Sequence, residues 1–125
     1  MITWRMRATV RNVHDGDTIY ADLDQGLGIW NRNIGLRLAG INARELSEPG
    51  GKEARDVVAA MLPVGTVVDI VSLGWDKFAG RIDADVTLFD GRNLGAVLVE
   101  KQWAATWDGK GSRADHVPPW PRTVA

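Results

Sequence analysis

The chain has 125 residues, 45% of them hydrophobic, which suffices for one cooperative core and is too short for two. Fifteen Lys and Arg against sixteen Asp and Glu leave a net charge of -1, so no broad positive field marks a nucleic-acid binder and any phosphate grip has to be local. The lack of cysteine excludes disulfides, thiolate catalysis and thiolate zinc sites, and no apolar stretch has the length of a signal peptide or a membrane span, so a soluble cytoplasmic monomer is expected.

Residues 4 to 13 alternate, with Trp4, Met6, Ala8 and Val10 set against Arg5, Arg7, Thr9 and Arg11, and predict a strand with one wet face. Asp15-Gly16-Asp17 then signals a tight turn into a second strand that runs from Thr18 to about Leu23. Asp24 to Asn33 reads as a hairpin loop, Ile34 to Ile41 as a third strand, and Asn42 to Gly51 as irregular because it holds Pro49, Gly50 and Gly51. From Lys52 the period changes: Ala54, Val57, Val58, Met61 and Leu62 form one apolar stripe on a helix, which Pro63 and Gly65 stop.

Thr66 to Leu73 is a β-branched run, Gly74 to Gly80 a loop, and Ile82 to Phe89 a fifth strand ending at Asp90-Gly91. Asn93 is placed to cap a second helix through Leu94, Val97, Leu98 and Trp103. The tail, 108 to 125, is rich in Pro and Gly and is expected to wrap the surface or be partly disordered, leaving 1 to 107 as the domain. Three strands, a helix, two strands and a helix make a five-stranded OB-fold β-barrel with a helix between strands three and four.

Several residues in this frame carry chemistry. Asp15 and Asp17 put two carboxylates on one turn, either as an ordinary hairpin connector or as oxygen ligands for a hard cation. Arg37 lies inside an apolar strand and needs an anion, which can be a structural carboxylate or a substrate. Glu45 hangs on the loop beyond that strand and is either a general base toward water or a solvated charge. Lys77, Phe78 and Arg81, with Trp75, share a glycine-ended loop suited to phosphate contact and base stacking, and Trp107 offers a further stacking surface. Six tryptophans are many for this length, and core packing is the expectation for most of them. His14 and His116 lack the partners and spacing of a zinc site.

Asp-Gly-Asp-Thr, the strand Ile34 to Ile41, Gly51-Lys52-Glu53-Ala54-Arg55, Asp76-Lys77-Phe78 with Gly80-Arg81, and Asp90-Gly91-Arg92-Asn93-Leu94 occur in an order that resembles the staphylococcal nuclease, or thermonuclease, family over roughly residues 8 to 107. The compact form and the Pro-rich end are similar to phage-borne copies. The resemblance implies a calcium ion held by Asp17, the side chain of Asn42 and the backbone carbonyl of Ala43. It implies Glu45 as the base for water, Arg37 and Arg81 as the grips on the scissile phosphate, and single-stranded DNA, with RNA also accepted, as the substrate cut to 3′-phosphates. Asn42 stands where the family usually has an aspartate, Arg44 where a proline is usual, and Ala79 looks inserted before Gly80. These departures motivate a rival expectation, a non-catalytic OB module that binds nucleic acid or a protein partner.

Overall fold

The computed structural model describes residues 4–76 and 80–124. Five strands close a barrel: β1 (Trp4–Asp15), β2 (Thr18–Asp24), β3 (Trp30–Leu38), β5 (Val67–Trp75) and β6 (Arg81–Thr87), in the spatial order β1-β2-β3-β6-β5 and back to β1. All pairs are antiparallel except β3 with β6. Helix α1 (Gly51–Met61) lies between β3 and β5, and α2 (Leu94–Glu100) follows β6, so the protein is mainly β with an OB-fold-like barrel.

Period-two alternation fills the interior. Ala8 and Val10 from β1, Ile19, Ala21 and Leu23 from β2, and Leu36 and Leu38 from β3 are buried, together with Val68, Ile70, Ala84 and Val86. Each fully buried Leu, Ile or Val contributes about 1.5–3 kcal/mol. A five-stranded barrel is narrow, and these aliphatic and alanine side chains leave no room for an indole. None of the six tryptophans is buried, which corrects the core-packing expectation: Trp4 and Trp75 stand on the rim, 63% and 69% exposed, and Trp103 only leans on the core. Helix α1 buries Ala54 and Val58, with Leu62 just beyond it, on the stripe that the helical period predicts. Asn93 caps α2 by accepting the Ala96 N–H at 2.9 Å.

Three segments differ from the sequence-based expectation. β3 begins at Trp30, inside the expected loop, because a register shift lets the pairing continue past Asn33, which adopts a left-handed φ of 57°. Buried Asp22 fixes that bulge, accepting the Asn33 N–H at 2.9 Å and pairing with Arg32 and Arg11. β3 also stops at Leu38, and after the turn at Ala39–Gly40 a short strand β4 (Ile41–Ala43) leaves the barrel. It pairs with β7 (Ala104–Thr106), which follows α2 closely because that helix ends at Glu100 and does not reach the expected Trp103.

The tail folds back over the barrel. Through a 3-10 turn at Arg113–Asp115 it reaches Trp120, whose ring covers Gly50 so closely that a Cβ there would overlap it, and Thr123, bonded to Gln102 at 2.9 Å.

Candidate active site

The β1–β2 turn, the end of β3, the loop from β4 to α1 and the start of β6 surround a cleft of about 620 Å³. Register explains who meets there. Thr18 pairs with Arg37 and Arg37 with Asp83, while Gly35 pairs with Arg81, so the two arginines rise from adjacent strands on the outer face, one row apart. Gly35 is what lets Arg81 lie across β3, since a Cβ there would sit 3.1 Å from Cγ of Arg81.

Asp17, Arg37, Asn42, Glu45, Arg81 and Trp107 all line the cleft. Ala43 is buried and does not line it, and the expected contacts from Lys77 and Phe78, with the insertion at Ala79, lie outside the described residues. Asp15, raised in sequence as a possible cation ligand, lines the cleft too, as does Arg113 from the tail, to which sequence reading gave no role.

Asp17 is the hub. Its Oδ2 accepts the Ala43 N–H at 2.9 Å and lies 3.6 Å from Nη2 of Arg37, whose side chain is only 14% exposed and also donates to the Leu38 carbonyl. Arg81 donates to Asp76 at 2.7 Å and reaches the Thr18 hydroxyl at 3.4 Å. Both guanidinium groups thus have carboxylate neighbours that fix their direction while leaving them on the cleft wall. Glu45 stands at the rim with 59% of its side chain exposed.

Asp15 differs electrostatically from its neighbours. Burial, reinforced by the charge of Asp17, pushes its carboxyl from 3.8 up to about 7. The folded state therefore binds this proton more tightly than the unfolded chain does, and stability is lost as pH rises from near 4 through about 7. Asp15→Asn keeps the acceptor for the Asp17 N–H, now at 3.1 Å, and removes the charge. We expect this variant to match the wild type near pH 4 and to exceed it by about 2 kcal/mol at pH 8, a figure reduced for partial solvent access. Thermal melts at the two pH values decide it, and a difference independent of pH would remove the strained carboxylate.

Whether the cleft suits a hard cation can be judged from its oxygen donors. Among the described residues no three His, Cys, Asp or Glu side chains form a group that could hold a metal. Asp15, Asp17, Glu45 and Asn42 nevertheless line the same cleft, and the amide oxygen of Asn42 is buried with no hydrogen-bond partner, which leaves it open to a cation. A hard cation at these oxygens would be held with less charge than three carboxylates would supply.

The carbonyl of Ala43 is engaged otherwise: it accepts from Nη2 of Arg113 at 2.8 Å. That same nitrogen donates to Glu48 at 2.7 Å, and Nε lies 3.6 Å from Glu45. The hydrogen bond from Arg113 is the main reason that Glu48 is held below the usual carboxylate range. Neither a known protein family nor any curated protein matches the sequence, so the function has to be read from this cleft alone.

Proposed function

We propose that the cleft is the active site of a calcium-dependent phosphodiesterase that cuts single strands of DNA, and RNA as well, to 3′-phosphate products. The reading rests on one observation: a carboxylate hub, a rim carboxylate and two oriented guanidinium groups, Asp17, Glu45, Arg37 and Arg81, line a single space large enough for a phosphodiester. Asp17, the amide oxygen of Asn42 and, once Arg113 releases it, the carbonyl of Ala43 would hold the cation. When bound, it would neutralise phosphate charge and lower the cost of nucleophilic attack.

The chain's own groups supply the rest. Glu45, open to solvent, takes a proton from the attacking water as the water oxygen bonds to phosphorus. Arg37 and Arg81 donate to the phosphoryl oxygens as negative charge grows on the pentavalent centre, and their existing carboxylate contacts hold them ready for it. The bond from phosphorus to the 5′ oxygen breaks, and that oxygen is protonated from solvent. Trp107, on the cleft wall and stacked on His116, would take a flanking base in place of that imidazole.

A larger hollow of about 930 Å³ opens where β1 begins and β2 ends. Trp4, Met6, Leu23, Ile34 and Ile82 make it mostly apolar, and the charged side chains on its wall are Arg5, Arg7 and Asp24. Its wall offers a single carboxylate against the several of the smaller cleft, Asp15, Asp17 and Glu45 among them, so the chemistry is assigned to the smaller cleft.

The purified protein should cleave a labelled single-stranded oligonucleotide at millimolar calcium, where weak sites fill, and stop when a chelator is added. The contact of Arg113 with both Ala43 and Glu45 favours a second reading, a non-catalytic module that binds nucleic acid or a protein. Binding of the strand without cleavage at millimolar calcium selects the second reading and ends the first.

A further inference from the structure

We propose that the segment 108–124 is a strap that holds Arg113 in the place of a divalent cation, so that strap and cation exclude each other at the loop from Ala43 to Glu48. This deepens the reading above and rests on the cleft taking such a cation.

The strap is anchored by donors that the loop aims at its backbone. Nδ2 of Asn42, a residue 1% exposed, donates to the His116 carbonyl at 2.9 Å, with the Arg113 carbonyl at 3.5 Å. Arg44 donates to the Pro118 carbonyl twice, from Nε at 3.1 Å and from Nη2 at 2.8 Å. Neither an aspartate at 42 nor a proline at 44 could donate in this way. Trp107 stacks on His116, and Trp120 closes over Gly50.

Together these contacts deliver one guanidinium to the Ala43 carbonyl, the one proposed cation donor it engages, and to the carboxylates of Glu45 and Glu48 beside it. Arg113 bonds the Ala43 carbonyl and Glu48 and pairs with Glu45. A dication ligated by the Ala43 carbonyl would stand within a few ångströms of this positive charge, and the two repel strongly where water is scarce. The anchors are hydrogen bonds to carbonyls that water can replace and ring contacts outside the barrel core, so the strap can leave without unfolding the barrel. The orphaned Asn42 oxygen is the acceptor left over while the strap is in place.

The test titrates calcium alone into the full chain by calorimetry, comparing the wild type with Arg113→Gln. The variant should bind calcium about tenfold more tightly. Arg44→Ala, which removes the Pro118 anchor without touching a cation donor, should shift affinity in the same direction by less, and it carries the test if Arg113→Gln fails to fold. Hydrogen exchange of amides 113 to 117 in the wild type should speed up on adding calcium. Equal calcium affinity in all the proteins, with exchange unchanged, would overturn the strap and leave the calcium reading standing. No binding in any of them at millimolar calcium would overturn both.

Discussion

Glu45→Gln is expected to lower turnover on single-stranded DNA by about 10²–10⁴-fold, the usual contribution of a positioned general base, with little change in KM. Glutamine has the same length and can still accept from Arg113, so the loop geometry that brings Glu45 within 3.6 Å of that guanidinium survives the change. What disappears is the ability to take a proton from water. In the proposed mechanism the substrate phosphate would be gripped elsewhere, by Arg37 and Arg81 on β3 and β6, which line the cleft, so affinity should hold. Initial rates at saturating calcium over a range of oligonucleotide concentrations separate the two quantities. Equal losses in kcat and in binding would mean that Glu45 contacts the strand and does not act as the base.

That prediction draws on residues whose sequence context already pointed to them. The barrel is legible because β1 and β6 alternate with period two, β2 follows a tight-turn signal with β-rich composition, β5 is a β-branched run, and α1 switches to a helical stripe at Ala54, Val58 and Leu62. Asp17, Arg37 and Arg81 are legible because each is a charge in or beside an apolar strand, where it must face a partner. Arg113 left no such signal. It lies in a stretch without periodicity, and its bond to the Ala43 carbonyl spans 70 positions of sequence.

The pairing of β4 with β7 was hidden for a related reason. Strands of three residues are too short to show alternation, and their partners are set by tertiary packing. The tryptophans misled in the opposite direction, since a hydrophobic residue does not report where it sits when the barrel interior is too narrow for it. Asn42 and Arg44 read in sequence as losses from a calcium site, whereas in the fold both are donors that bind the tail. Their meaning depends on a segment that no local rule connects to them.

Gly51→Ala should cost about 3 kcal/mol, near the upper end for overpacking, and lower the melting temperature by about 10 °C. The backbone of Gly51 has no left-handed φ, so conformational freedom is not the reason. In the body of a helix alanine would be better than glycine by about 1 kcal/mol. Sterics decide against it: a Cβ at Gly51 would run into the Glu45 carbonyl and meet Cα of Leu46 at 3.0 Å, and all of these are backbone atoms that cannot swing aside. The loop is pinned there from both ends, because the Gly51 N–H donates to the Glu48 carbonyl at 3.0 Å while Glu48 accepts the Glu45 N–H. To admit one methyl group the peptide of Glu45 must move, and displacing a catalytic group by about 1 Å costs roughly 10²-fold in rate. Stability and turnover should therefore fall together in this variant, read by thermal melts and by kcat measured well below the new midpoint. A melt within about 2 °C of the wild type would show that the loop yields freely, and the fixed position assigned to Glu45 would then have no support from α1.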